Sequence, residues 1–366
     1  RNGYYRGFQE EIARRYQILR REMESDGAGK EPVTVKPEAV PAPSKPKLQE
    51  GESKPPAKAP HSANGSVAPK PAAPLSVEIT GKDGAPMVLV PASGPRTKPK
   101  ACNVGLTFAR GEFLVVYDAE DAPDPQQLRA VVHQFRTSGP EVAVVQCRLN
   151  YHNVEENLLT RLFTLEYSFW FSFMLRGLDR MHLPLPLGGS SNHFRTEVLR
   201  ELGGWDPHNV TEDADLGMRA GALGYKVAAN PSTTMEEACS RMGPWIRQRT
   251  RWIKGYMVTF LVHARHPARF TRATGLRGTL CLLLLIAGTP AMYLASSVVW
   301  TFWLFTFLGG TVSWLHVPPT VQVLNAVVFL GANGAMIAMH AVAGRNRHPR
   351  LARYALLLPA YWVLHS

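Results

Sequence analysis

Three short runs of this sequence carry side chains that could do chemistry. The first is Asp118-Ala119-Glu120-Asp121, which follows directly on the apolar run Phe113-Leu114-Val115-Val116-Tyr117. Carboxylates just past the carboxyl end of a buried strand sit where open α/β sheets bind ligands. Asp118 and Glu120, separated by one residue, can hold Mg2+ or Mn2+, whose coordination also accepts diphosphate oxygens; an acidic turn after a strand is the plainer alternative. The second run is Thr211-Glu212-Asp213, with Asp215 close behind. It opens a helical stretch that reaches Leu223, so it is either an acidic site or an N-terminal cap that satisfies free amides and suits the helix dipole. The third run, Trp245 to Gly255, sets Arg247, Arg249, Arg251 and Lys254 among Trp245 and Trp252. Cations beside flat apolar rings suit an anion held next to a sugar face, and the same composition suits a basic helix on a membrane surface.

The elements that must position these groups read as an α/β layer. Met87 to Val90, Phe113 to Tyr117 and Val142 to Gln146 are short apolar runs, and helical spacing at Leu128, Val131, Val132 and Phe135 lies between the last two. Buried short strands alternating with helices predict a largely parallel sheet. Residues 162–175 hold Phe163, Phe169, Trp170, Phe171 and Phe173. The segment is too short to cross a bilayer, and it reads either as core or as a helix at the membrane interface.

The two ends differ from this middle. Residues 1–30 read as a charged amphipathic helix, with Phe8, Ile12, Tyr16, Leu19 and Met23 on one stripe. Residues 31–75 are Pro, Lys, Ala and Ser with almost no large apolar side chain, a composition that cannot offset chain entropy and reads as a disordered linker. The domain proper is assigned to 76–274 and a transmembrane region to 275–366, with spans at about 278–307 and 321–343 and the start of another at 354. Both full spans exceed the roughly 20 residues needed to cross the hydrocarbon. Arginines precede the first and follow the second while the loop between carries no Lys or Arg, so both outer flanks face the cytoplasm. The chain begins at Arg1 without a Met and stops inside an apolar stretch, which reads as a piece of a longer protein.

The formal charge of +12, from 41 Lys and Arg against 29 Asp and Glu, belongs to these flanks and to the third run, and no nucleic-acid partner is expected. Cys102, Cys147, Cys239 and Cys281 stand far apart with no ligand spacing, so neither a zinc site nor a disulfide scaffold is indicated and free thiols are expected.

Five runs in this order resemble the membrane-embedded family 2 glycosyltransferases of the bacterial cellulose synthase type: Thr97-Lys98-Pro99-Lys100-Ala101-Cys102-Asn103, Asp118-Ala119-Glu120, Gly188-Gly189-Ser190-Ser191-Asn192, Thr211-Glu212-Asp213 and Gln248-Arg249-Thr250-Arg251-Trp252. Asp213 stands 95 residues after Asp118, and Gln248 35 after Asp213. The resemblance covers roughly Val88 to Ser366. It implies a GT-A type domain, cytoplasmic on a bacterial inner membrane and joined to several membrane helices. It implies metal-dependent, inverting transfer from a nucleotide sugar, in most such relatives a UDP-sugar, to a growing β-linked glycan. By the same resemblance Asp118 and Glu120 hold Mg2+ or Mn2+ with the diphosphate, Glu120 standing where Asp is usual. Lys98, Asn103, Gln248 and Arg251 contact the donor, Asp213 is the catalytic base, and Gly189, Ser190, Glu212 and Trp252 line the acceptor site. Export or accessory subunits are the expected partners besides lipid, nucleotide sugar and glycan. The aromatic and Cys residues usual near Gly189 are absent, which leaves the acceptor open, and the front half of the nucleotide-binding sheet is not legible before Met87. Two other readings remain: a truncated, non-catalytic scaffold in a glycan-export complex, and a polyprenyl-phosphate sugar transferase.

Overall fold

A computed structural model describes residues 79–80, 86–87, 90, 94–308, 318–346 and 348–366. The helix expected at 1–30 and the linker expected at 31–75 lie outside the described residues. The described residues divide into two compact units, one before and one after residue 91. In the first, β1 (Ile79–Thr80) pairs antiparallel with β2 (Pro86–Met87). Met87 therefore belongs to a two-stranded hairpin and not to the main sheet that its apolar run suggests.

The larger unit runs α1 (Lys98–Phe108), β3 (Phe113–Val116), β4 (Ala122–Pro123), α2 (Gln127–Thr137), β5 (Val142–Tyr151) and α3 (Leu158–Phe169). A π-helical turn, Trp170–Met174, joins α3 to α4 (Leu175–Arg180). Then come β6 (Asn192–Arg195), α5 (Thr196–Glu201), α6 (Glu212–Ala222), β7 (Lys226–Glu236), α7 (Met242–Ala264) and α8 (Pro267–Cys281). A second π-helical turn, Leu282–Ala287, leads into α9 (Gly288–Phe307), followed by α10 (Pro319–Arg345), a 3-10 segment Pro349–Leu357 and α11 (Leu358–Val363).

The five main strands lie in the order β3-β6-β5-β7-β4. Only β5 and β7 pair parallel; every other neighbour is antiparallel. The largely parallel sheet expected from the sequence is thus corrected to a mixed one. The reason is that a central strand covered on both faces is a continuous apolar run whichever way its neighbours point. Strand β5 is such a strand: Val145 and Cys147 join the core under α2 with Val131 and Phe135, while Val144 and Leu149 join the core formed with Phe171, Leu175, Leu185 and Phe194.

Residues 162–175 form a core element. Leu162, Phe163, Leu165, Phe169, Phe171 and Leu175 are all buried, and Phe173 alone of its phenylalanines is exposed. A third cluster joins α3 to α7 and the C-terminal segments through Phe163, Trp245, Leu351 and Tyr361. At its centre Arg249 donates to both carboxylate oxygens of Glu166, at 2.7 and 2.6 Å, and to the Tyr361 hydroxyl at 3.1 Å. Its guanidinium lies 4.3 Å from the Phe163 ring centre and 4.7 Å from that of Trp252.

Of the apolar C-terminal helices, the first breaks at Gly275, whose φ of 70° and ψ of 179° are not helical, and passes through Pro290 without interruption. Proline lacks the N–H that would close the preceding turn, and the π-helical turn just before it takes up the local change in pairing. Pro267–Phe305 and Pro319–Arg345 are each long and apolar enough to cross a membrane, and only 17% and 11% of their most apolar windows are buried. The third span expected from 354 is in this structure the 3-10 segment followed by the six residues of α11.

Arg249 is buried and Glu166 nearly so, so breaking the pair leaves an uncompensated charge, at a cost of about 3–5 kcal/mol. Arg249→Met should therefore lower the apparent melting temperature sharply in a thermal unfolding scan, and adding Glu166→Gln should recover part of the loss. Equal melting of Arg249→Met and the wild type would show that this pair does not hold α7 to α3.

Candidate active site

Strand β3 delivers Asp118 to the carboxyl edge of the sheet, and a tight turn holds it there. The Asp118 amide donates to Asp121 Oδ2 at 2.7 Å, and the Asp121 amide returns to the Asp118 carbonyl at 3.1 Å. Asp118 is half-exposed and ion-paired with Lys98 from the first turn of α1. Lys98 Nζ also donates to the Gly189 carbonyl at 2.7 Å. Burial opposes the lysine's charge, but the Asp118 carboxylate outweighs it and raises the pKa.

The Gly188–Asn192 loop is drawn against this pair by side chains beneath it. Gln146 of β5 accepts from the Gly188 amide at 2.8 Å and donates to the Ser190 carbonyl at 3.0 Å, while Asn192 donates to the Gly188 carbonyl at 2.5 Å. Ser190 is buried and its hydroxyl donates to Asp121, so it ties the loop to the acidic turn. Gly189 is the exposed member of the loop. A Cβ there would lie 3.6 Å from Asp213 Oδ2, so the acidic start of α6 faces the same point from the other side.

Asp213 is strongly perturbed. Burial, and then the neighbouring Glu212 charge, push its pKa up to about 7, and Lys98 only partly opposes them. Glu212 is itself raised by burial, and the charges of Lys98 and Asp118 reach it. Glu236, at the end of β7, is pushed up to about 8 by burial and then by Asp121 and Asp118. Asp121 is raised for the same reasons, with the Ser190 hydrogen bond opposing. Carboxylates crowded around one lysine repel one another, and such a set is short of positive charge. Glu120 stands at the exposed tip of the turn.

Helix α7 buttresses the acidic start of α6. A Cβ on Gly255 would fall 2.5 Å from Thr211 Cγ2, so only glycine allows this approach. Thr259 accepts from Asn209 Nδ2 at 2.8 Å, and Asn209 Oδ1 in turn accepts from the Thr211 amide at 3.1 Å. His263 Nε2 lies 2.8 Å from Asp215 Oδ1, and Arg219 Nε donates to the other oxygen at 2.8 Å. Burial opposes the Asp215 charge, but Arg219 and His263 outweigh it and hold the carboxyl below its usual range.

The site residues expected from the sequence divide into three groups. Lys98, Asp118, Gly189, Ser190, Glu212 and Asp213 come together, with Glu120 at the rim. Asn103, for which a donor contact is expected, is buried, donating to the Trp205 carbonyl at 2.6 Å and accepting from the Trp205 amide at 2.9 Å, so its amide pins α1 to the loop after α5. The Arg-rich run is divided by the helical period. Arg251 and Arg249 project from opposite sides of α7, Arg249 with Trp245 against Phe163, while Trp252, four residues after Gln248 and three before Gly255, lies between the two sides. Arg251 is exposed, and among the described residues it makes no ion pair; Gln248 Oε1 is buried without a hydrogen-bond partner. Trp252 is half-buried, with its ring 4.7 Å from the Arg249 guanidinium and edge-on to Phe163.

Glu236, the side chain of Gln146 and the His263 partner of Asp215 escape the sequence reading, and Asp121 is read there only as a member of the acidic turn. Asp121 could have been found from its spacing of three after Asp118, which suits a side-chain-closed turn. Glu236 and His263 give no local signal, because their partners are far away in sequence.

Comparison with known proteins bears on this geometry. Residues 113–331, more than half of the chain, match the model described as glycosyl transferase family group 2. A probable glucomannan 4-beta-mannosyltransferase of Arabidopsis thaliana is 32% identical over 144 residues, covering 39% of this chain and 26% of the relative. The probable glycosyltransferase YdaM of Bacillus subtilis is 29% identical over 171 residues, covering 46% of this chain and 40% of the relative. The matched stretch is thus well under half the length of these curated relatives. A mannosyltransferase of Pyrobaculum calidifontis, solved with GDP-Man and Mn2+, aligns at 17% identity and a TM-score of 0.41 over 74% of this chain and 66% of that one. With a mixed α/β sheet of GT-A type followed by two long apolar helices, and a family match that runs from β3 into α10, the chain belongs to glycosyl transferase family group 2.

Proposed function

We propose that the chain is the catalytic part of a membrane-bound, metal-dependent inverting glycosyltransferase that extends a β-linked glycan from a nucleotide sugar. The observation that carries this reading is the meeting of three distant segments at one point: Lys98 paired with Asp118, the Gly189 carbonyl under Lys98, and Asp213 facing Gly189. Asp213 is the general base. It takes the proton of the acceptor hydroxyl while that oxygen attacks the anomeric carbon and the nucleoside diphosphate leaves from the opposite face. One base and one direct displacement invert the centre, and a carboxyl whose pKa is near the working pH is suited to the transfer.

Asp118 and Glu120 would hold Mg2+ or Mn2+. The crowd of carboxylates around Lys98 fits a divalent cation, and among the described residues no set of three His, Cys, Asp or Glu stands ready as a complete cage, so diphosphate oxygens are needed to finish the coordination. When bound, the cation neutralises charge on the departing diphosphate. Arg251 and Gln248 face the same side of α7 and serve the leaving group; Lys98 orients the donor between Asp118 and Gly189. The motif resemblance points to a UDP-sugar, and the names of the relatives bring mannosyl donors into the test. The exposed apolar faces of Pro267–Phe305 and Pro319–Arg345 support insertion in a bilayer, because a soluble core helix buries such a face. The basic flanks support a cytoplasmic catalytic domain.

Radiolabelled transfer to an endogenous glycan, scanned over UDP- and GDP-hexoses, tests the assignment. Asp213→Asn should lower kcat by about 10²–10⁴ while leaving nucleotide binding intact; unchanged transfer would remove Asp213 from the mechanism. Transfer by the wild type should rise with pH through about 7 and then level off, as Asp213 loses its proton. The same shift has a stability consequence. A carboxyl raised in the folded state makes folding less favourable as pH climbs from the unfolded value towards the folded one, so Asp213→Asn should melt above the wild type at pH 8 and lose that advantage near pH 4. EDTA should abolish transfer and Mn2+ or Mg2+ restore it, whereas full activity in EDTA would dismiss the metal role of Asp118 and Glu120.

A further inference from the structure

A cavity of about 530 Å3 lies between the end of α4 with its following loop and the start of the apolar helices. Leu178, Met181 and Leu183 form one wall, and Leu280, Leu284 and Leu285 the other. Arg180 and Arg277 line the same cavity, one from each side. Both are exposed, and among the described residues neither side chain makes a hydrogen bond or an ion pair. The nearest acid in sequence, Asp179, turns away and accepts from the Ala229 amide at 3.1 Å. The cavity opens on an exposed apolar surface: its own Met181 is 60% exposed and Leu284 69%, and neighbouring Leu276 is 69% exposed. Two guanidiniums lining an apolar slot, one of them on a helix able to enter a bilayer, match a ligand with a phosphate at one end and hydrocarbon at the other. Guanidinium forks bind phosphate oxygens in pairs, and basic pockets beside membrane helices on the cytoplasmic side take anionic headgroups.

We propose that this cavity binds an anionic phospholipid of the surrounding bilayer, with Arg180 and Arg277 on the headgroup phosphate and the acyl chains along Leu280 and Leu284. The lipid thereby reaches the active site through a short rigid strut. From Leu183 the chain runs extended through buried Leu185 and Leu187 to Gly188 and Gly189. Helix α6, which carries Asp213, lies directly on that strut: a Cβ on Gly217 would meet the Leu185 carbonyl at 2.1 Å, and one on Gly221 would meet Pro184 at 3.0 Å. A bound lipid that ties α4 to α8 fixes the base of the strut on which both Gly189 and Asp213 depend.

The inference rests on the reading that Pro267–Phe305 enters the membrane, and the test separates the two. The full chain in nonionic detergent is analysed by native mass spectrometry with phosphatidylglycerol, phosphatidylcholine or undecaprenyl phosphate added, and by flotation with vesicles of each phospholipid. The wild type should retain phosphatidylglycerol on the order of tenfold better than phosphatidylcholine. Arg180→Gln with Arg277→Gln should erase that preference, whereas Arg350→Gln, a distant exposed cation, should preserve it. The double variant should still float with phosphatidylcholine vesicles. Equal retention of the two phospholipids by the wild type, or a preference untouched by the double variant, overturns the proposal while leaving membrane insertion standing. Retention of undecaprenyl phosphate in place of phosphatidylglycerol overturns it in favour of a lipid-linked substrate. Failure of every form to float removes the membrane reading itself.

Discussion

The buried Asp215 carboxylate, held at 2.8 Å by Arg219 on one oxygen and by His263 on the other, decides where α6 begins relative to α7. All three side chains are almost completely excluded from solvent. A buried charge without such partners costs several kcal/mol; Arg219 supplies one partner from α6 itself, so it is the His263 contact that sets α6 against α7. Two residues before Asp215 stands Asp213, and its place opposite Gly189 follows from that docking. The site then tolerates what an unbraced surface could not, a group of carboxylates whose burial, and then mutual repulsion, raise the pKa of Asp121, Glu212, Asp213 and Glu236. Repulsion of this kind would spread a flexible loop apart. Here it is contained by Thr259 and Asn209 below Thr211 and by Gln146 below Gly188.

Helix α7 works on two sides at once. Its Gly255 and Thr259 face packs against the acidic start of α6, and its Trp245, Arg249 and Trp252 face packs on α3 and the C-terminal segments. The two faces carry different physics. On the first, close approach is bought by a missing side chain at Gly255; on the second, an arginine is sandwiched among rings and neutralised by Glu166. A motif read as a single string in the sequence, Gln248 to Trp252, is therefore shared between a face that can reach a leaving group and a face that fixes the helix. Loss of function on changing Arg249 and on changing Arg251 would have different causes, collapse of the packing in one case and loss of an exposed cation in the other.

The legible part of the fold was what local pattern controls. Runs such as Val142–Gln146 announced a buried strand, and the acidic turn after Tyr117 announced the edge of the sheet. Strand direction was not legible, because β5 is covered on both faces and its sequence is the same for parallel and antiparallel neighbours. Among site residues, Lys98, Asp118 and Asp213 were named in advance because their family resemblance is carried by short, ordered motifs. Asn103 sits in such a motif and yet serves the Trp205 backbone, since a motif records that a side chain is needed and not which way it faces. His263 and Glu236 were invisible for the opposite reason: each acts on a partner brought near only by the fold, 48 residues away for the His263–Asp215 pair.

The same distinction bears on how the catalytic domain meets the apolar helices. The cluster that includes Ala214 and Met218 of α6 also contains Phe270 of α8 and Leu282 and Ile286 of the following π-helical turn. The helix bearing the proposed base is thus packed on the segment that enters the apolar region, with no loop between them to absorb movement. On the far side α6 rests through Gly217 on the strut that ends at Gly189. A close-packed interior transmits displacement and does not damp it. A shift of α8 relative to the sheet must then appear as a shift of Asp213 against Gly189, and the distance between base and acceptor loop becomes a property of the anchored molecule and not of the sheet alone.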